Sequence, residues 1–147
     1  MNKLKFSTVI NAPKEKVWSV LFNDGTYRQW ASVFAPGSYA ETDWKEGSKA
    51  LFLGEGRSGM VSRIEKNRPY EFLSIRHLGM VKNGIEDTQS DEVKAWGNAI
   101  ESYELSSAEN RDETRLAVEM DSVDEFKDYF EETWPKALDK IKELSES

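Results

Sequence analysis

The sequence predicts an α+β fold in which one long C-terminal helix packs against a curved, seven-stranded antiparallel sheet. Two observations predict it. Between residues 122 and 144, apolar side chains recur every three or four positions and therefore share one helix face: Phe126, Phe130, Trp134, Ala137, Ile141 and Leu144. The stretch from 37 to 120 instead shows short alternating segments separated by turn residues, which is typical of strands. A sheet wrapped on such a helix is a way to enclose a cavity.

The predicted elements follow in a simple order. Residues 3–10 alternate between polar and apolar types and predict a first strand. Two short helices follow: Asn11 can cap the first, Pro13 suits its first turn, and the second holds Tyr27 and Trp30. Six more strands are predicted near 38–44, 48–54, 58–66, 70–79, 97–106 and 113–120, with turns at Gly47, 54–56, 67–69 and 109–112. Their short connections favour antiparallel neighbours.

Three further features concern one long connection and the last helix. The polar stretch 80–95 predicts a long mobile loop that acts as a lid, with a polar hairpin of no functional role as the alternative. Ser122 and Glu125 have the spacing of a capping box at the start of the last helix. Pro135 removes one bond within that helix, so it either kinks the helix or starts a new segment.

Composition narrows the class of protein. The 147 residues, 38% apolar and 32% charged, suit one soluble domain spanning 1–147. A net charge of −7 with scattered Lys and Arg argues against partners such as nucleic acid or an anionic membrane surface. Residues 1–10 lack the apolar run of a signal peptide, and no stretch approaches a membrane span, so we expect a cytoplasmic protein.

The same composition limits the chemistry. The chain has no cysteine and one histidine, which excludes disulfides and a thiolate nucleophile and leaves a zinc site without its common ligands. No phosphate-binding glycine motif is present. We therefore predict no metal site and no cofactor.

A small polar cluster is predicted on the inner face of the sheet. If Leu73 and Ile75 face inward, alternation turns His77 inward as well, and the same reasoning places Glu101 beside Tyr103. A buried carboxylate needs a partner or a ligand. The alternatives are a histidine satisfied by a neighbouring hydroxyl or carbonyl group, a structural network, or a register slip that turns Glu101 to solvent.

Aromatic side chains complete the candidate ligand-binding set. Trp30, Phe52 and Trp134 are candidates for the wall of a cavity, although a purely structural core is the alternative for each ring. Trp96 follows the predicted lid and is the candidate for the mouth.

Several segments carry a resemblance to a known family: INAPKEKVW at 10–18, YRQW at 27–30, DWKEGS at 43–48, Pro69, ESYEL at 101–105, TRL at 114–116 and WPKAL at 134–138. With them the chain resembles the START-like helix-grip superfamily, also called SRPBCC. It is most similar to the proteins related to the activator of the heat-shock chaperone ATPase, the AHSA type. The resemblance implies a helix-grip fold. Members bind lipids, steroids or polyketides, cyclise or hydroxylate them, or act as co-chaperones.

Three functions stay open at this point. We favour binding of an apolar or amphipathic small molecule, lipid-like or aromatic, between the sheet and the C-terminal helix. The second is a chaperone cofactor or other interaction protein, and the third is a cyclase-like or hydrolase-like enzyme using His77 and Glu101. No catalytic residue is predicted, since no G-x-S-x-G elbow or other strict motif is present, although a Ser-His-Asp arrangement stays open. A monomer or weak dimer is expected.

Overall fold

The computed structural model describes residues 1–110 and 112–147. In that part of the chain the strands are β1 (Asn2–Ile10), β2 (Tyr39–Glu41), β3 (Lys49–Leu53), β4 (Gly59–Arg68), β5 (Phe72–Lys82), β6 (Ile85–Asp87), β7 (Ala99–Ser107) and β8 (Thr114–Ser122). The α-helices are α1 (Lys14–Phe22), α2 (Asp24–Ala31), α3 (Asp91–Lys94) and α4 (Asp124–Glu146). The predicted turn at 109–112 connects β7 and β8, and Arg111 lies outside the described residues.

The strands form one open antiparallel sheet in the order β1-β8-β7-β5-β4-β3-β2, with β6 paired to β5. β1 and β8 lie side by side from the pair Asn2 and Ser122 to the pair Ile10 and Thr114. Together with the long α4, this arrangement confirms the predicted α+β helix-grip fold. β6 is an additional strand that the sequence pattern did not predict.

The region 80–95 is structured, so the prediction of one long loop is wrong. β5 continues to Lys82, and β6 returns beside it after a turn at Asn83 and Gly84. Both turn residues have positive φ angles, 51° and 81°, which a two-residue hairpin of this twist requires and which Asn and Gly tolerate. Ser90 then caps α3 by accepting a hydrogen bond from the Val93 N–H at 3.3 Å. The Asn-Gly pair was therefore the informative signal.

Two predicted helix caps are also wrong. α1 has Pro13 at its N-cap position, and no side chain caps it, so Asn11 plays no such role. α4 begins at Asp124 after Val123, again without a side-chain cap, because the Ser122 hydroxyl donates to the Val123 carbonyl instead. α4 continues through Pro135 to Glu146 as one helix.

α4 is held by the face that the sequence predicted, over most of its length. Trp134, Ala137 and Ile141 are buried, and α4 packs against β1, α1 and α2. Burial of a side chain such as Ile141 stabilises the fold by roughly 1.5–3 kcal/mol. The first turns differ from the prediction, since Phe126 is 47% exposed rather than buried. No helix in the described part of the chain is long and apolar enough to cross a bilayer.

Candidate functional site

A cavity of about 510 Å³ lies between the inner face of the sheet and the helices α2 and α4. Aromatic and thioether side chains make up half of the residues in its wall: Tyr27, Trp30, Phe34, Tyr39, Phe52, Trp96, Tyr103, Phe126, Tyr129, Phe130, Trp134, Met60, Met80 and Met120. This volume and lining are in the range of small-molecule sites. All seven residues proposed from the sequence border it: His77, Glu101, Tyr103, Trp96, Trp30, Phe52 and Trp134.

The two tryptophans at the helix side belong to both the core and the cavity wall. Trp30 on α2 is 3% exposed, and its indole N–H donates to the Leu21 carbonyl at 3.3 Å. Trp134 on α4 is 2% exposed, and its indole N–H points at the Met120 sulfur at 3.0 Å. Since both N–H groups are satisfied within the protein, these rings supply apolar wall and no free hydrogen-bond donor.

Four polar side chains form a hydrogen-bonded chain across three strands. Ser62 on β4 is paired with His77 on β5, and the Ser62 hydroxyl lies 2.7 Å from His77 Nδ1. His77 Nε2 lies 3.0 Å from Glu101 Oε1 on β7. Tyr103, two positions further along β7, donates its hydroxyl to Glu101 Oε2. Alternation along β7 places Glu101 and Tyr103 on the same face.

Glu101 is held in its charged form despite being largely enclosed. Burial raises the pKa of its carboxyl, but the hydrogen bond and charge of His77, together with the Tyr103 hydroxyl, lower it below its ordinary value. Burial and the charge of Glu101 raise the pKa of Tyr103 well above its ordinary value. The same causes raise the pKa of Tyr27, also on the cavity wall. Both phenols therefore remain neutral beside one carboxylate.

The hydrogen bonds of His77 follow from the chemistry of its neighbours. A carboxylate only accepts hydrogen bonds, so His77 donates from Nε2 to Glu101. The Ser62 hydroxyl can either donate to Nδ1 or accept from it, so it accommodates a neutral or a charged imidazole.

The arrangement does not expose the Ser62 hydroxyl to the cavity. Ser62 is completely buried and does not border the cavity, although it lies within hydrogen-bonding distance of a histidine that contacts a carboxylate. A hydroxyl attack needs an open path to the substrate carbon. The Ser62–His77 bond instead matches the alternative of a histidine satisfied by a neighbouring hydroxyl.

Sequence reasoning missed several residues of this site. Ser62 lies 15 positions from its partner His77, and only strand pairing brings them together. Tyr27 could have been found, because it precedes Trp30 by three positions and therefore shares its helix face. Met60 and Met80 face each other across β4 and β5, which again depends on register.

The mouth of the cavity is bordered by α3 and by the first turns of α4. Trp96, half-buried, follows α3 and lines the cavity, so the residue expected at a mouth lies beside a short helix rather than on a long loop. Phe126 and Tyr129 project from α4 and are 47% and 42% exposed. The Tyr129 hydroxyl donates to the Phe34 carbonyl at 2.5 Å, which ties α4 to the segment after α2.

The geometry of the described residues presents no metal site. Within residues 1–110 and 112–147, no three His, Asp or Glu side chains are close enough to hold an ion together. Besides Glu101 and its hydrogen-bonding neighbours His77 and Tyr103, the polar side chains that border the cavity include Glu92, Asp121, Ser38, Ser58 and Ser122.

Solved structures share this fold over nearly the whole chain. Protein MLL2253 from Mesorhizobium loti is 14% identical, with a TM-score of 0.75 over 97% of this chain and 96% of that one. The Aha1 dimer from Colwellia psychrerythraea is 18% identical, with a TM-score of 0.71 over 99% and 97%. CalU16 from Micromonospora echinospora is 17% identical, with a TM-score of 0.67 over 97% and 75%. At these identities the likeness concerns the fold alone.

Sequence comparison supplies the family. No curated protein is similar enough in sequence to count as a match. The family model described as Activator of Hsp90 ATPase homolog 1-like protein matches residues 11–146, which span α1 to the end of α4. With the helix-grip fold already established, this chain belongs to the Activator of Hsp90 ATPase homolog 1-like family of the START-like superfamily.

Proposed function

We propose that this protein binds an apolar or amphipathic small molecule in the cavity between the sheet and α4. The observation that carries the proposal is the cavity itself, about 510 Å³ with an aromatic wall and one polar cluster at Glu101. A protein that only needed a stable core would fill such a space, because lost packing contacts cost stability. We include in this proposal that the seven residues named from the sequence contact the bound molecule.

Bulk introduced into the cavity wall tests the proposal. Met80 lines the cavity from β5, and Leu78 on the same strand is also half-buried but does not line it. The probe is phenylnaphthylamine, an uncharged dye that brightens in apolar surroundings. We expect saturable binding of about one dye per chain, weakened at least about tenfold by Met80→Trp and changed less than about twofold by Leu78→Trp.

Two results would contradict the proposal. One is dye binding that is absent or does not saturate, and the other is equal weakening by the two tryptophan variants. Native mass spectrometry of the protein as purified adds a direct readout, because a retained molecule would appear as extra mass that denaturation releases. Binding should also raise the free energy of unfolding by about 2.7 kcal/mol when the dye is present at a hundred times its Kd.

A chaperone-directed role is the second candidate. The family description, which concerns activation of the Hsp90 ATPase, favours it, and so do the exposed rings of Phe126 and Tyr129 at the mouth. The ATPase rate of Hsp90 with and without this protein tests it. An acceleration that a Phe126→Ser, Tyr129→Ser double variant abolishes and Met80→Trp does not would support this role over small-molecule binding.

A further inference from the structure

The charged side chains that border the cavity are mostly acidic. Glu92, Glu101 and Asp121 line it, with His77 as the single basic partner. Among the residues that the structure describes, no Lys or Arg lines the cavity. Asp121 is already used, because its carboxylate accepts from the Ile100 N–H at 2.9 Å, and Lys3 lies 3.7 Å away. Glu92 is exposed at the mouth.

Two arginines approach the cavity from outside without entering it. Both contact Tyr39, a lining residue: Arg57 donates to the Tyr39 hydroxyl at 3.2 Å, and the Arg28 guanidinium lies 5.1 Å from the ring centroid. Each is paired with its own carboxylate, Arg57 with Glu41 at 2.8 Å and Arg28 with Asp24 at 3.0 Å. Neither guanidinium is therefore aimed at a ligand inside the cavity.

Glu101 keeps hydrogen-bonding capacity for a ligand. One donor reaches each of its oxygens, His77 at Oε1 and Tyr103 at Oε2. A carboxylate offers about four lone-pair positions, so roughly two acceptor positions remain. The Glu101 side chain is 20% exposed and borders the cavity, so these positions are within reach of a bound molecule.

Aromatic side chains bond to or pack against members of this polar cluster. Tyr103 is bonded to Glu101, and Phe52 packs edge-on against His77 with a centroid distance of 6.1 Å. Tyr27 lies 6.3 Å from Phe52, and Trp30 lies 6.3 Å from Tyr103. Ring faces attract cations and disfavour anions, so the rings and the carboxylate favour the same sign of charge.

We propose that the ligand is an organic cation: an amine with an aromatic or other apolar body, whose ammonium group donates to Glu101. This inference rests on the proposed function and names the chemical class of its ligand. An anionic ligand would lie against a carboxylate whose one basic neighbour, His77, is already bonded to Glu101 and Ser62, and no Lys or Arg in the described wall offsets the repulsion. A cationic ligand gains a charge-assisted hydrogen bond and ring contacts that a neutral one lacks.

Three probes of one shape but different charge test the inference: naphthylmethylamine, naphthylmethanol and naphthoate, titrated by calorimetry at neutral pH. We expect the amine to bind at least about tenfold tighter than the alcohol, and the carboxylate weaker than the alcohol. An alcohol that binds as tightly as the amine would overturn the inference and leave the proposed function intact. Failure of all three probes, and of the uncharged dye, would overturn both.

A pair of charge-neutralising variants locates the preference. Glu101→Gln removes the charge inside the cavity, whereas Glu104→Gln removes the same charge from the exposed face of the same strand. We expect the ratio of amine to alcohol affinity to fall to about one in the first variant and to stay within about twofold of the wild type in the second. An unchanged ratio in Glu101→Gln would overturn the assignment. If that variant does not fold, the three-probe series on the wild type decides the question.

Discussion

At the scale of single residues, Glu101 shows how this protein keeps a carboxylate inside an aromatic wall. An enclosed charge is costly unless it is hydrogen-bonded. The His77 imidazole and the Tyr103 hydroxyl meet this cost, and their combined effect on the Glu101 pKa exceeds that of burial. The charged form is thus part of the folded structure.

The lowered Glu101 pKa makes a sign-specific prediction about acid stability. A carboxyl whose pKa is lower in the folded than in the unfolded state stabilises the fold above its ordinary value of 4.5 and loses this contribution as the pH falls through the folded-state value. At neutral pH we expect Glu101→Gln to reduce the free energy of unfolding by about 1–3 kcal/mol. Urea unfolding at several pH values measures this effect. The difference in free energy of unfolding between wild type and Glu101→Gln should shrink as the pH falls below the ordinary carboxyl pKa of 4.5.

Glu104→Gln is the control for this pH series. Glu104 is exposed on the other face of β7, so its replacement should change the free energy of unfolding by less than about 0.5 kcal/mol at neutral pH. If the difference in free energy of unfolding between wild type and Glu101→Gln grew on acidification, the predicted direction of the pH dependence would be wrong.

At the scale of elements, the hairpin of β5 and β6 depends on a glycine that local sequence patterns do not single out. An ideal Cβ on Gly79 would lie 2.1 Å from the Asp87 carbonyl oxygen, at the end of β6. The Cβ position is fixed by the Gly79 backbone and the oxygen belongs to the Asp87 backbone, so neither can move without disturbing the hairpin. Gly25 in α2 differs, since nothing lies within 4 Å of its ideal Cβ.

This contrast predicts opposite effects of the same substitution. We expect Gly79→Ala to lower the free energy of unfolding by about 1–3 kcal/mol through overpacking. We expect Gly25→Ala to raise it by about 0.5–1 kcal/mol, because alanine restricts the unfolded chain and favours a helix. Chemical denaturation of both variants measures the difference, and a Gly79→Ala protein as stable as the wild type would refute the close approach.

At the scale of the whole molecule, the protection of backbone amides from hydrogen exchange should follow the position of each strand in the sheet. β5 pairs with β4 on one side and with β7 and β6 on the other, and β7 pairs with both β5 and β8. β2 and β6 contain three residues each and lie at edges. Strands bonded on both sides open only in larger unfolding events, whereas short edges open locally.

Hydrogen exchange followed by mass spectrometry tests this expectation. Amides of β5 and β7 should exchange slowest, and those of β2 and β6 at least about tenfold faster. Addition of phenylnaphthylamine should slow exchange in the cavity-lining parts of α2 and α4 while the edge strand β2 changes less. β6 exchanging as slowly as β5 would contradict the assigned topology.

Much of the fold was predictable because its signals are local. Alternation and helical spacing depend on neighbouring residues, so seven of the eight described strands, α1, α2 and the buried face of α4 were predictable from the sequence. The same alternation placed His77, Glu101 and Tyr103 on the inner face, where the structure has them. The errors arose where two local signals competed. The polar composition of 80–95 suggested a loop although Asn83-Gly84 forms a hairpin turn, and the spacing of Ser122 and Glu125 suggested a helix cap that does not form.

What the sequence by itself determined is the fold class, the family and the inward direction of the candidate polar residues, because periodicity and motifs are properties of adjacent positions. Only the tertiary structure showed three further facts. Ser62 forms a hydrogen bond with His77, the missing side chain of Gly79 leaves room for β6, and the charged residues around the cavity are mostly acidic. These facts depend on the pairing register between strands, including a shift between Val61 and Ser62, rather than on the pattern within one strand. A register slip of one residue reverses every side chain, so no local pattern could have supplied them.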